Sequence, residues 1–312
     1  MKRCCVIGGA GFIGSHVIRL LEGKRQIVVL DKSPELFFEP EGEVKYISGD
    51  YGNRELLEEV LKDVDEVIHL AYSSVPKTSY DDPIHDITNN LPASVTLFEV
   101  AGEAGVDKLI FISSGGTVYG KTDKMPISES HPTNPVSPYG ITKLAVEKYA
   151  MMYSALKSLP VVCVRPGNAF GQGQRPFIEQ GFIATAIGCI LQKQEVTVFG
   201  EKGTIRDYIH VSDIASGIIS VLERGKINSC YNIGSGVGRS NMDILTMLEP
   251  LAKSAGLEVR IKFLPSRLFD VPANVLDSSK LRKDTGWEIK GSFEEGMERT
   301  WNWLCSEQDS IE

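Results

Sequence analysis

The feature that most constrains this chain is its beginning. A short apolar run, Cys4-Cys5-Val6-Ile7, passes directly into Gly8-Gly9-Ala10-Gly11-Phe12-Ile13-Gly14, which opens a helical stretch. A strand that ends in a glycine turn and enters a helix leaves the first helical N–H groups free at the strand end, where the helix dipole favours an anion. Gly8, Gly11 and Gly14 lie three apart. One bends the turn, one lets backbone N–H groups approach a pyrophosphate, and one lets the helix pack close to the strand. Glycines alone are a weak signal; the strand before and the helix after give them meaning.

The first half repeats this alternation. Ile27–Leu30, Val44–Ser48, Glu66–Leu70, Leu109–Ser113 and Val161–Val164 are brief apolar runs, as expected of strands buried on both faces. Between them, stretches such as Arg54–Leu61 and Ser94–Ala104 carry helical periodicity. Repeated strand–helix–strand units predict an α/β fold with a doubly wound parallel sheet. After about Gly171 the regularity falls. Helices are expected at Glu179–Leu191, Ile214–Leu222 (capped by Ser212-Asp213), Met242–Ala252 and Phe293–Trp303, and strands at Val196–Phe199, Tyr208–Val211 and Cys230–Ile233. This divides the chain into a dinucleotide-binding domain, residues 1–170 with segments returning near 206–235, and a smaller C-terminal substrate-binding lobe of residues 171–205 and 236–312.

A formal net charge of −8 argues against nucleic acid, whose binding draws on released counterions. No apolar stretch is long enough to span a membrane. The start, Met1-Lys2-Arg3 before an apolar run, resembles a signal peptide only until the glycines interrupt it. The six cysteines show no Cys-x-x-Cys pair and no histidine at zinc spacing, so no metal is expected and reduced, buried thiols in a cytoplasmic protein are.

Asp31 ends the second strand, where a carboxylate accepts hydrogen bonds from the hydroxyls of an adenosine ribose. It would repel a 2′-phosphate, which favours NAD over NADP, although Lys32 softens that repulsion. Asp50, after the third strand, suits either the adenine amino group or a helix cap. His69-Leu70-Ala71 end the fourth strand where the chain passes the diphosphate, with His69 itself read as a core residue.

Tyr139-Gly140-Ile141-Thr142-Lys143 places a phenol and an ammonium one helical turn apart, after the capping pair Ser137-Pro138. A phenol with a pKa of about 10 must come down by about three pH units, worth about 4 kcal/mol, to act as a base near neutrality. An adjacent ammonium and a cationic nicotinamide supply that kind of stabilisation.

Together with Gly8–His16, Asp31 and Asp50, the segments Ser113–Gly120, Tyr139/Lys143, Arg165-Pro166-Gly167-Asn168 and Arg206–Asp213 make the chain resemble the extended short-chain dehydrogenase/reductase family, especially its UDP-sugar 4-epimerases, over nearly its whole length. The resemblance implies a Rossmann domain holding NAD and a UDP-hexose or UDP-N-acetylhexosamine. Tyr139 would be the base and Lys143 would lower its pKa. Ser114 or Thr117 would replace the family hydroxyl missing at Gly115. It also places Gly8, Gly11, Phe12, Ile13, Gly14, Asp31, Lys32, Asp50, Tyr51, Leu70, Ala71, Tyr72, Asn90, Ser113 and Pro166 along the cofactor. Ser114, Asn168, Val198, Phe199, Arg206, Arg267, Asp270 and Asn274 would face the substrate. A small Asn274 at the sugar gate suggests room for an N-acetyl group.

Dimerisation through helices around 94–104 and 139–156 is a family habit, and supply of sugars for polysaccharide biosynthesis is one use of the activity. Other nucleotide-sugar epimerases, 4,6-dehydratases and 4-reductases share the scaffold. Gly116-Thr117, where dehydratases carry Asp-Glu, speak against elimination. A catalytically silent NAD-binding regulator would need neither Tyr139 nor Lys143.

Overall fold

Alternate side chains of the first strand, β1 (Arg3–Ile7), enter different cores. Cys4 and Val6 join one apolar cluster, Cys5 and Ile7 another. A strand whose two faces are both covered needs no polar alternation, which is why the run is continuously apolar.

The computed structural model describes residues 1–36, 38–178, 181–266 and 271–307. After β1 come α1 (Phe12–Leu21), β2 (Gln26–Asp31), β3 (Val44–Ser48), α2 (Arg54–Val60), β4 (Glu66–His69), α3 (Pro76–Asp81) and α4 (Pro83–Ala104). There follow β5 (Lys108–Ile112), α5 (Pro138–Lys157), β6 (Val161–Pro166), β7 (Asn168–Phe170), α6 (Phe182–Leu191), β8 (Glu195–Phe199) and β9 (Ile205–His210). The chain ends through α7 (Val211–Arg224), β10 (Ser229–Ile233), β11 (Gly238–Ser240), α8 (Asn241–Ser254), β12 (Arg260–Leu264), β13 (Ala273–Asn274), α9 (Ser279–Thr285) and α10 (Phe293–Ser306).

Seven parallel strands form the main sheet in the order β10-β6-β5-β4-β1-β2-β3. Helices α1 and α7 pack together on one face, and α2, α4 and α5 on the other. The strand order reverses between β1 and β4, and ligands bind beyond the carboxyl ends of such a switch point. A third apolar core gathers Ile183 and Ile187 of α6, Val196 and Val198 of β8, Ile244 and Leu248 of α8, and Trp301 and Leu304 of α10. Strand β10 is the returning segment that rejoins the main sheet, beside β6.

The strands expected from sequence lie within two or three residues of the observed ones. Three boundaries differ. Helix α4 begins at Pro83, capped by the Asp82 carboxylate on the His85 N–H at 2.9 Å, and runs through Pro92, so it starts eleven residues before the expected Ser94. Proline has no N–H for the helical ladder; packing against α2 and α5 overrides that penalty. Helix α7 is capped by His210, whose ring accepts the Ser212 N–H at 3.3 Å, so Ser212-Asp213 lie inside the first turn instead of capping it. The helix expected from Glu179 is described from Phe182, residues 179 and 180 lying outside the described set.

Candidate active site

Glycine makes the switch point possible. Gly8 adopts φ +84°, and a Cβ there would stand 2.5 Å from the Ala71 nitrogen, beyond β4. A Cβ on Gly14 would stand 2.4 Å from the Gly8 carbonyl oxygen. The turn between β1 and α1 can therefore lie flat against the end of β4, with the positive end of α1 behind it. Asp31 stabilises the same turn: one carboxylate oxygen accepts the Ala10 N–H at 3.0 Å and the other the Ser33 N–H at 3.0 Å. Asp50 accepts the Gly52 N–H at 2.9 Å and pairs with Lys32 at 3.0 Å. It does not cap α2; the Asn53 side chain does, accepting the Leu56 N–H at 3.2 Å.

At and beyond the carboxyl ends of β4 and β5, His69 Nδ1, Ser113 Oγ and Thr117 Oγ1 are buried polar atoms without a hydrogen-bond partner. Each such atom costs about 1–3 kcal/mol, so a cluster of them marks a place built for a polar ligand. With the glycine turn and Asp31 they fit a dinucleotide. His69 stays a core residue. It packs against Tyr51 and Phe111 at ring distances of 4.9 and 5.6 Å, and burial, aided by Lys143, pulls its pKa down to about 3. Asn90 ties down the segment after β4, its side-chain oxygen accepting the Ser73 N–H at 2.8 Å.

Helix α5 starts as the sequence demands: Ser137 Oγ accepts the Gly140 N–H at 3.1 Å and Pro138 takes the first position. The Tyr139 N–H donates to Ser79 Oγ at 3.2 Å, which fixes the helix start to α3. One turn on, Lys143 is buried and its Nζ donates to the Ile112 carbonyl at the end of β5, at 2.9 Å. That nitrogen lies 3.8 Å from the Tyr72 ring centroid, 5.2 Å from that of Phe111 and 5.8 Å from that of Tyr139. Burial pulls the Lys143 pKa down to about 7, against the carboxylates of Asp86 and Glu147. Burial, and then the Asp86 charge, pushes the Tyr139 phenol above its ordinary range. The phenol so placed needs added positive charge to ionise near neutrality, which is the part the sequence reading gives to the Lys143 ammonium together with a cationic nicotinamide.

The segment after β5 explains the missing hydroxyl. A Cβ on Gly115 would meet Leu276 Cδ1 at 2.5 Å and the Arg165 carbonyl at 2.9 Å, so no side chain fits there. Gly116 is different: its Cβ would lie 3.4 Å from Asn168 Oδ1 and 4.0 Å from Ser114 Oγ, so positions 114, 116 and 168 share one side. Thr117 lies against the start of α5, its carbonyl 3.1 Å from where a Gly140 Cβ would be. Asn274 is fully buried and donates to the Gly115 carbonyl at 3.0 Å, with its own Oδ1 unpartnered.

Two buried clusters escaped the sequence reading. Arg165 donates to both oxygens of Glu147 at 2.9 and 2.6 Å and to Tyr119 Oη at 3.0 Å, and Tyr119 donates to Asn232 at 2.7 Å. Glu147 stands four residues after Lys143 on the same face of α5, a spacing that could have flagged it. Asp207 is fully buried and accepts the N–H groups of Ser235, Gly236 and Leu276 at 2.7, 3.1 and 3.0 Å, so it joins β9 to the segments that flank Gly115.

On the substrate side, Arg206 donates from Nη1 to the carbonyls of Ile205 and Val271 at 2.9 and 2.7 Å. Val198 turns into the third core and Phe199, the next residue of β8, is half-buried. Pro166 is buried at the end of β6. Arg267 and Asp270 lie outside the described residues. Among the described residues no helix is long and apolar enough to cross a membrane, and no group of three or more His, Cys, Asp or Glu stands together to hold a metal.

The model of the NAD dependent epimerase/dehydratase family matches residues 4–234. UDP-glucose 4-epimerase of Mycolicibacterium smegmatis is 33% identical, over 96% of this chain and 97% of that one. The crystal structure of UDP-glucose 4-epimerase with UDP-glucose from Thermotoga maritima superposes with a TM-score of 0.90 at 30% identity, covering 100% of both chains. UDP-N-acetylglucosamine 4-epimerase of Methanobrevibacter ruminantium, in complex with UDP-N-acetylmuramic acid, superposes with a TM-score of 0.91 at 28% identity, covering 98% of this chain and 99% of that one.

Proposed function

Since the chain belongs to the NAD-dependent epimerase/dehydratase family, we propose that it inverts C4 of a UDP-hexose or UDP-N-acetylhexosamine through a transient 4-keto sugar. The observation that carries this reading is the Tyr139/Lys143 pair set at the carboxyl end of β5, beside the glycine turn and its unpartnered polar atoms. NAD, when bound, would supply the hydride acceptor and donor for C4. The N–H groups of the Gly8–Gly14 turn would hold its diphosphate and Asp31 its adenosine ribose. Leu70, Ala71 and Tyr72 pass alongside. Tyr139 takes the proton of the sugar 4-hydroxyl and gives it back after the sugar has turned over, so the protein ends each cycle as it began. Lys143 holds the nicotinamide ribose and opposes the phenolate charge. Thr117 and Ser114 are the hydroxyls assigned to the sugar oxygen in place of a side chain at Gly115. Gly116 and Thr117 offer no carboxylate for a 4,6-elimination.

In this assignment residues 1–170 and the returning segments bind the cofactor, and 171–205 with 236–312 grip the nucleotide sugar. Asn168, Phe199 and Arg206, together with Arg267 and Asp270, are the contacts assigned to the nucleotide and diphosphate. Proton NMR of the products from UDP-glucose and UDP-N-acetylglucosamine, run in parallel, tests the reading. C4-inverted product is expected from both. Turnover of UDP-glucose alone would sink the argument that Asn274 leaves room for an N-acetyl group. No product from either, with NAD bound, would sink the 4-epimerase assignment itself.

A homodimer is part of the proposal. Helices α4 and α5 pack on each other and present Ile84, Ile87, Ile141, Tyr149, Met152 and Leu156 outward, with Leu156 73% exposed and Ile84 67%. Such apolar stripes on neighbouring helices suit a four-helix bundle with a second copy. Leu156→Asp should convert a dimer to a monomer in sedimentation velocity; an unchanged sedimentation coefficient would move the interface elsewhere. Six free cysteines suit a reducing cytoplasm, and supply of sugar donors to polysaccharide synthesis is the role we assign.

A further inference from the structure

Strands β7, β9, β11 and β13 form a small second sheet just past the carboxyl ends of the main one. Strand β7 begins two residues after β6, and β11 follows β10 after residues 234–237. Both pair with β9. Side chains directly opposite each other across strands point to one face, as do those two apart along a strand. The register sets Asn168 against Tyr208 and Arg239 against Arg206, so Asn168, Arg206, Tyr208 and Arg239 share a face. Gly238 agrees from the other face, where a Cβ would meet Ile205 Cγ2 at 2.7 Å and Val275 Cγ2 at 2.8 Å. Asn168 and Arg206 are the contacts assigned above to the nucleotide and diphosphate. Arg239 has no part yet.

Arg239 is the anomaly on this face. Its guanidinium carbon lies 3.8 Å from the ring centroid of Phe293, at the start of α10. The Phe293 ring packs in turn against Phe170 of β7, at 4.9 Å between centroids. A guanidinium seated over a ring uses its own face and keeps its N–H donors, which lie in the plane, for other acceptors. Among the described residues none takes them. Nη1 is buried without a hydrogen-bond partner, and Arg239 enters no ion pair. Asp243, close enough to feel the Arg239 charge, is committed to the start of α8, where its carboxylate accepts the Ser240 N–H at 2.8 Å. Two guanidinium groups on directly paired residues repel each other unless an anion lies against them.

We propose that Arg239 is a second phosphate-binding arginine of the nucleotide site, closing with Arg206 on the diphosphate of the nucleotide sugar. The inference deepens the epimerase reading and rests on Arg206 facing that diphosphate. Arginine suits the task because its planar fork meets two phosphate oxygens at once. Phe293 holds the fork in place before the ligand arrives, so less rotamer freedom is lost on binding.

The test uses the full chain with NAD bound. Affinity for UDP is measured by isothermal titration calorimetry and affinity for uridine by NMR titration. Arg239→Met keeps an apolar stem over Phe293 and removes the charge. It should weaken UDP binding by about 10- to 100-fold and leave uridine binding unchanged. Arg239→Lys, which restores the charge without the fork, should recover part of the loss. Combined with Arg206→Met, Arg239→Met should cost less than the product of the two single losses, because both side chains act on one diphosphate. If Arg239→Met does not fold, Arg239→Gln is judged by the same comparison of UDP with uridine. Equal losses for UDP and uridine, or no loss for either, reduce Arg239 to a packing partner of Phe293 and overturn the proposal. Fully multiplicative losses in the double variant overturn the shared grip, and wild-type protein that binds UDP no better than uridine overturns the site. The binding readout needs no turnover. A loss confined to UDP in a protein that epimerises nothing keeps the arginine and sinks the reaction, whereas normal turnover with UDP affinity unmoved in Arg239→Met does the reverse.

Discussion

Replacing Tyr139 with phenylalanine is expected to lower kcat by about 10²–10⁴-fold, the usual share of a positioned acid–base group, while NAD remains bound. The substitution removes one oxygen and keeps the ring, so the edge-to-face packing on Tyr72 at 5.0 Å survives. The glycine turn, Asp31 and Lys143 are untouched. The pH dependence gives the sign. Burial holds the Tyr139 proton, so the wild-type rate should rise with pH as the phenol ionises, and that acid limb should vanish from the residual activity of the variant. Product NMR measures the rate, and NAD released on denaturation measures the cofactor. An unchanged kcat would remove Tyr139 from the role of base.

Arg165→Met is expected to cost about 3–5 kcal/mol of stability, because it strands the Glu147 carboxylate in the core without a partner. For a chain of this size that corresponds to a fall in Tm on the order of 10 °C. Adding Glu147→Leu should recover most of the loss, since two apolar side chains of similar volume leave no buried charge. Calorimetry of the two single variants and the double variant closes the cycle. If the double variant were as unstable as the sum of the singles, the pair would be two independent packing residues instead of an ion pair. The loss should also reach the active site, because Glu147 and Lys143 are successive turns of one helix face.

Much of the site was legible before the fold was known. A glycine turn between an apolar strand and a helix has few alternative uses, and Tyr139 and Lys143 advertise themselves by their spacing. The main strands were legible because burial on both faces makes them uniformly apolar. Less was legible where polar residues are buried. Asp86 sits among helix-surface residue types, and nothing local marks it as interior. Glu147 reads as a solvated helix position until β6 brings Arg165 against it. The first half of α4 was hidden by Pro83 and Pro92, whose local cost is outweighed by contacts from distant segments.

By itself the sequence determined the parallel sheet, the glycine turn and the placing of Tyr139 and Lys143, the pair we propose as reacting, on one helical turn. These are local matters: backbone conformations only glycine reaches easily, strand periodicity, and two side chains on one helical turn. The protonation of that pair was decided by tertiary structure alone. Lys143 comes down to about 7 because β5, Tyr72 and α5 exclude water from it, against the opposing carboxylates of Asp86 and Glu147. Charge acts through space and desolvation depends on everything packed around a group, so neither can be read from neighbours in sequence. The same holds at Gly115. Its place in the family pattern asks for a hydroxyl, and only the approach of Leu276 and the Arg165 carbonyl shows why this fold leaves no room for one.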